Sequence, residues 1–361
     1  MTLNQPSAEP YNYKKLLLYI PIIFIYISYL LFISLNNHPP VDYQTFMQIG
    51  QRYLNHQPIW EFGSYYPLPY VMIFAWFSTL PAPLSIFLWH IIPLIAILVI
   101  SKGRLWPLLL GIVIDHFIGG QSVVFVLIGI TIYRNHQKDW WGGVGLALLL
   151  MKPNLAIFPL AWAGIQWLQE LRVNRRISSQ VWAFIGVAVL MFLPSFLVMP
   201  DWLSTWTPTR RPIDLRPLAG ILPRSLVILN NHNAVGEGPQ FWIPLVVIAI
   251  VLFIAIWFAN RRKLSFDIYM LFSFIVSPYI HDYDLLQLIP FLDTSWKRKL
   301  AIVTSLPTWF VIFTAYDNNS AWFVVTITVP VLLAVMLYRT NQPEEAAQLP
   351  PAPTNLETVQ G

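Results

Sequence analysis

The chain has 361 residues, 56% of them hydrophobic and 11% charged, with a mean hydropathy of +0.57. A soluble domain carries about 25% charged residues, so this balance argues against one and predicts an all-α polytopic membrane protein. The net charge of +5 requires no nucleic acid, and the absence of cysteine excludes disulfides, thiolate metal sites and cysteine nucleophiles.

The first apolar run, LLLYIPIIFIYISYLLFISL (16–35), has no small-residue cleavage site and is too long for a signal-peptide core, so it is expected to be a retained span. Further runs predict spans near 67–101, 104–119, 120–134, 141–152, 155–169, 180–199, 239–259, 264–280, 283–296, 300–316 and 321–339. Residues 67–101 are too long for one straight span, and a partly inserted segment through WFSTLPAP followed by a full span is expected there. The short runs 141–152 and 155–169 flank Lys152-Pro153 and predict a helix pair meeting near the outer half of the membrane. The tail 340–361 is polar and proline-rich, the composition of a disordered segment.

Charge sets the orientation. With the N-terminus in the cytoplasm, 16 of the 22 Lys and Arg residues fall in inner loops. The long segments 36–66 and 200–238 then lie outside, with Asp42, Arg52, Glu61, Asp115, His116, Lys152, His281, Asp282 and Asp284 on or near that side. Ionisable groups near membrane depth are costly and point to function.

Asp42 follows Pro39-Pro40 and precedes the helical pattern YQTFMQIGQRYL, which suits an amphipathic helix at the interface. It reads either as a helix N-cap or as a partly desolvated general base. Lys152, between two apolar stretches, reads as a snorkelling cation or as a phosphate ligand at a helix break. In SPYIHDYDLLQLIPFL (277–292), His281 with Asp282 or Asp284 has metal-ligand chemistry, but no second histidine-rich cluster supports a metal. A His281 bond to phosphate or a capped turn are the other readings. Arg210, Arg211, Arg216 and Arg224 suit bidentate phosphate contacts or anionic headgroups. Gln121, beside the Gly119-Gly120 turn, suits a sugar hydroxyl or plain turn formation. No P-loop, dinucleotide fingerprint, Ser/His/Asp triad or internal repeat is visible.

Asp42 with YQTFMQIGQRYLNHQPIW, then YYPLPY (65–70), GGQS (119–122), MKPNLAIFPL (151–160) and SPYIHDYDLLQLIPFL (277–292) resemble, in order, the motifs of GT-C membrane glycosyltransferases. More narrowly the chain is similar to glycosyltransferase family 87, the polyprenyl-phosphate-mannose-dependent mannosyltransferases. The resemblance covers roughly residues 40–292. It departs from the family at Asn154, where Gln or His is frequent, and at Ser122-Val123, where Asn is frequent.

The resemblance implies one GT-C-like transmembrane domain over 1–339, with about 11–13 transmembrane helices and a structured first extracytoplasmic loop. It implies a multi-pass protein, of a bacterial cell membrane, with its active site on the extracytoplasmic side. Asp42 matches the catalytic acid, and Lys152 and His281 match positions near the donor phosphate, with Arg210 and Arg211 beside them. Arg52, Tyr66, Gln121, Asp282 and Asp284 are expected to bind substrate. The donor would be a polyprenyl-phosphate sugar and the acceptor a glycolipid or glycan, with membrane lipids as partners and no nucleotide, metal or other cofactor. A transporter or flippase of a lipid-linked solute is the main alternative, followed by a non-catalytic assembly or polymer-export subunit.

Overall fold

The computed structural model describes residues 17, 19–60, 66–206, 239–259, 265–277, 280 and 282–314. Every regular element among them is helical. Helix α1 is Ile20–Leu35, α2 Val41–Leu54, α3 Leu68–Ser78 and α4 Ala82–Ile100. A 3₁₀ turn at Trp106–Leu109 leads into α5, Gly111–Gly119, followed by α6, Val124–Asn135. Next come α7 (Trp140–Leu149), α8 (Pro153–Asn174), α9 (Ser179–Val198), α10 (Trp202–Trp206), α11 (Pro239–Ala259) and α12 (Phe266–Val276). A ten-residue 3₁₀ segment, Asp282–Phe291, precedes α13 (Ser295–Thr304) and α14 (Leu306–Thr314).

Local chemistry explains many of the boundaries. Pro occupies the first turn of α1, α3, α4 and α8, where its missing N–H costs nothing. The Asp139 side chain accepts from the Trp141 amide and caps α7. The expected break within 67–101 falls at residues 79–81, dividing an 11-residue helix from a 19-residue one. The break at Lys152-Pro153 separates α7 from α8.

Other expectations need correction. Residues 283–296 are not a span: the segment is 3₁₀ and only ten residues long, and Pro290 lies inside it. The run 300–316 is interrupted at Ser305, and α5 and α6 are nine and twelve residues long, too short to cross a bilayer straight. Among the described residues two helices, Ala82–Ile100 and Ser179–Val198, are long and apolar enough to cross a membrane. The expected span 321–339, the tail 340–361 and most of the loop 200–238 lie outside the described residues.

Small residues let the helices approach closely. A Cβ on Gly145 of α7 would sit 2.6 Å from the Gly129 carbonyl oxygen of α6, so a larger residue would force the pair apart. Helix α2 packs on α3 and α4 through aromatic rings. Phe46 stacks on Phe74 with centroids 4.7 Å apart, and the Tyr43 hydroxyl donates to Ser85 Oγ at 2.6 Å. Helix α2 therefore has one face built into the core, with Tyr43, Phe46, Met47 and Ile49 buried.

Candidate functional site

Asp42 does not cap its helix. Pro40 is the N-cap residue, no side chain bonds the cap position, and Asp42 is the second helical residue of α2. Its Oδ2 instead accepts from the Gln121 side-chain amide, 79 residues away. A carboxylate only accepts, so the amide nitrogen must face it and Gln121 Oε1 must point elsewhere. The position in the first turn favours a negative charge. Burial works against this and raises the Asp42 carboxyl above the usual range, with the Gln121 bond pulling it part of the way back.

The turn that presents Gln121 requires its glycines. Gly120 has φ +69°, a left-handed conformation that a side chain would strain, and it closes α5 by donating its N–H to the His116 carbonyl. Its carbonyl accepts from Trp89 Nε1 at 2.7 Å. A Cβ on Gly119 would lie 3.6 Å from Asp42 Oδ2, so the turn passes directly under the carboxylate.

The Lys152-Pro153 break is built as a second polar node. Lys152 Nζ forms an ion pair with Asp284 Oδ1, and Asp284 is completely buried. The ammonium also lies 5.5 Å from the centre of the Tyr283 ring. Lys152 is therefore already matched with a carboxylate. On the 3₁₀ segment, with three residues per turn, Asp284 and Gln287 share one ridge. The Gln287 amide is buried with neither polar atom bonded.

Tyr66 connects the two nodes. Its phenol is raised above the usual tyrosine range mainly by burial; Ser122 partly offsets this, and the Asp284 and Asp42 carboxylates add to it. The ring stands against Phe46, Tyr70 and Phe74 at centroid distances of 5.0 to 5.4 Å. The Tyr70 hydroxyl bonds the Ser122 carbonyl, holding α3 to the turn. An apolar crevice walled by Ile73, Phe77, Trp89, Ile92 and Phe125 includes Gln121 and Ser122 in its lining.

The predicted residues thus divide into groups. Asp42, Tyr66, Gln121, Lys152 and Asp284 come together. Arg52 does not: it is half-buried on α2, ten residues and about 15 Å of helix beyond Asp42, and donates to the Pro58 carbonyl at 3.2 Å. Asp282 opens the 3₁₀ segment two residues before Asp284. His281, Arg210, Arg211, Arg216, Arg224 and Glu61 lie outside the described residues. Asp115 and His116 are buried on α5, and His116 is within electrostatic range of His90 and Lys152.

Sequence reasoning passed over His90, Tyr70 and Gln287. A histidine inside the apolar run of α4 and a glutamine inside LLQLIPFL are both polar groups at a cost, and that cost was a usable signal. The residues present include no group of three or more His, Asp or Glu side chains arranged to hold a metal ion, among those described. No protein-family model, curated protein or solved structure matches the chain.

Proposed function

We propose that the protein is a multi-pass membrane glycosyltransferase of the GT-C type. It moves a sugar, mannose by the family resemblance, from a polyprenyl-phosphate donor to a hydroxyl of a glycolipid or glycan on the extracytoplasmic side. The observation that carries this reading is the half-buried, Gln121-bonded carboxylate of Asp42, which shares the surroundings of Tyr66 with Asp284, the partner of Lys152 at the helix break. The apolar crevice at Gln121 supports it, since it offers hydrocarbon contact beside a polar centre. A bilayer setting is supported by α9, which leaves Trp182, Ile185, Leu190, Leu193 and Leu197 exposed along an apolar helix.

In the proposed reaction Asp42 takes the proton of the acceptor hydroxyl. The acceptor oxygen bonds to the anomeric carbon as the bond from that carbon to the phosphate oxygen breaks. Polyprenyl phosphate leaves with the electron pair, and one displacement inverts the anomeric centre. Phosphate needs little acid assistance, so one carboxylate suffices, unlike the paired carboxylates of glycosidases. Lys152 stabilises the leaving charge by exchanging part of its pairing with Asp284 for the phosphate, an electrostatic role.

The test uses purified protein in nanodiscs with polyprenyl-phosphate mannose and a panel of membrane glycolipids, read by mass spectrometry. Transfer by the wild type, and its loss by about a hundredfold or more in a folded Asp42→Asn variant, is the expected result for removal of a general base. Near wild-type transfer by Asp42→Asn refutes the base assignment. Movement of donor across the bilayer without covalent change replaces the transferase with a flippase.

A further inference from the structure

The Gly119-Gly120 turn has a second polar side chain against it, and the proposed reaction leaves that side chain unused. His90, on α4, is buried, and its Nδ1 lies 2.7 Å from the Ile86 carbonyl oxygen. A carbonyl only accepts, so Nδ1 carries the hydrogen and Nε2 of the neutral ring is a bare lone pair. That lone pair is buried and has no partner. Buried acceptors are almost always satisfied, so an orphan of this kind marks a missing donor.

The surroundings say what kind of donor is missing. A Cβ on Gly120 would lie 3.3 Å from His90 Nε2, so any side chain at this left-handed position would crowd the ring nitrogen. Gln121 repeats the pattern: its amide nitrogen serves Asp42, leaving Oε1 buried and unbonded. Asp42, Gln121 Oε1 and His90 Nε2 therefore offer acceptors around one Gly-Gly turn. An anion would face lone pairs from all three, and the buried Ser122 hydroxyl is the one neutral donor beside them among these unbonded side chains. A ligand carrying several hydroxyl donors fits, and its phosphate belongs instead beside Lys152.

We propose that His90 Nε2 accepts a hydrogen bond from a substrate hydroxyl lying over the Gly119-Gly120 turn, which makes His90 a substrate-binding residue. The identity of that hydroxyl as part of a transferred or accepting sugar rests on the transferase reading above. The acceptor role itself is testable without any transfer.

The experiment is ¹⁵N NMR of histidine-labelled protein in nanodiscs, with methyl α-mannoside as the probe and His90→Gln identifying the signal. An upfield move of the His90 Nε2 signal on saturation is expected. His90→Phe, which keeps a ring but has no acceptor, should weaken binding of the glycoside by about tenfold, as loss of one neutral hydrogen bond implies. His90→Gln should retain part of it. A His90 signal unmoved by saturating glycoside overturns the proposal, as does equal affinity in folded His90→Phe; where that variant fails to fold, the wild-type spectrum decides alone. Mannose transfer by a wild type whose His90 signal stays silent removes this proposal only. A responsive His90 without transfer from any lipid-linked donor removes the transferase and leaves a hydroxyl-binding site.

Discussion

Two influences of opposite sign act on the Asp42 carboxyl. Burial destabilises its charge and raises its pKa; the Gln121 amide donates to the ionised form and lowers it, with burial the larger. A general base works only when ionised. The rate should therefore rise with pH through the raised value, and the acid limb of kcat/KM should lie above the ordinary carboxylate range. The stability term runs the opposite way: it is present below the unfolded-state pKa and lost as pH rises through the folded one. Gln121→Leu removes the donor at similar volume, leaving burial unopposed. Its acid limb should move to higher pH, measured as kcat/KM against pH. A limb that stays in place or moves to lower pH would show that Gln121 does not support the ionised form.

At the scale of elements, the 3₁₀ segment Asp282–Phe291 joins opposite ends of the bundle. Near its start Asp284 pairs with Lys152; near its end Phe291 lies 4.7 Å below the Arg134 guanidinium. Arg134 also pairs with Asp267 at 2.8 Å. Helix α6 spans the same interval, from Val124 beside the Gln121 turn to Arg134 near its C-terminal end. A ten-residue 3₁₀ run has poorer hydrogen bonds than an α-helix, so side-chain anchors at its ends matter more than usual. Removing one member of a buried ion pair strands the other charge, at about 3–5 kcal/mol, whereas replacing both with apolar residues is often neutral. Lys152→Ala and Asp284→Ala should each lower the thermal midpoint strongly, and Lys152→Met with Asp284→Leu should recover most of it. A double variant as unstable as the sum of the singles would show that the pair does not act as one anchor. In the proposed transfer the same double variant should be impaired despite its recovered stability, because the Lys152 ammonium no longer faces the leaving phosphate.

For the whole molecule, what could be read in advance followed a physical rule. Apolar runs and their Pro and Gly breaks are local signals, so the division at residues 79–81, the break at Lys152-Pro153 and the helix after Asp42 were legible. Pairings across long sequence separations were not: Lys152 finds Asp284 at a separation of 132 residues, and nothing local specifies it. Nor could composition distinguish the 3₁₀ ridge at 282–291 from a span, since a short apolar run fits either. The sidedness expected from charge bias is a proposal, and the geometry supplies an axis on which to test it. Arg134 and its acidic partners stand at the far end of α6 from Gln121 and Asp42. The chain contains no cysteine, so single-cysteine labelling needs no background substitutions. Gln57, just beyond α2, and Lys138, just beyond α6, are both exposed. In intact cells a membrane-impermeant maleimide should label Gln57→Cys but not Lys138→Cys, and permeabilisation should expose the second. The reverse pattern would place Asp42 and its partners on the cytoplasmic side, where an extracytoplasmic lipid-linked donor could not reach them. Labelling of both in intact cells would show that the two ends of α6 are not separated by a bilayer.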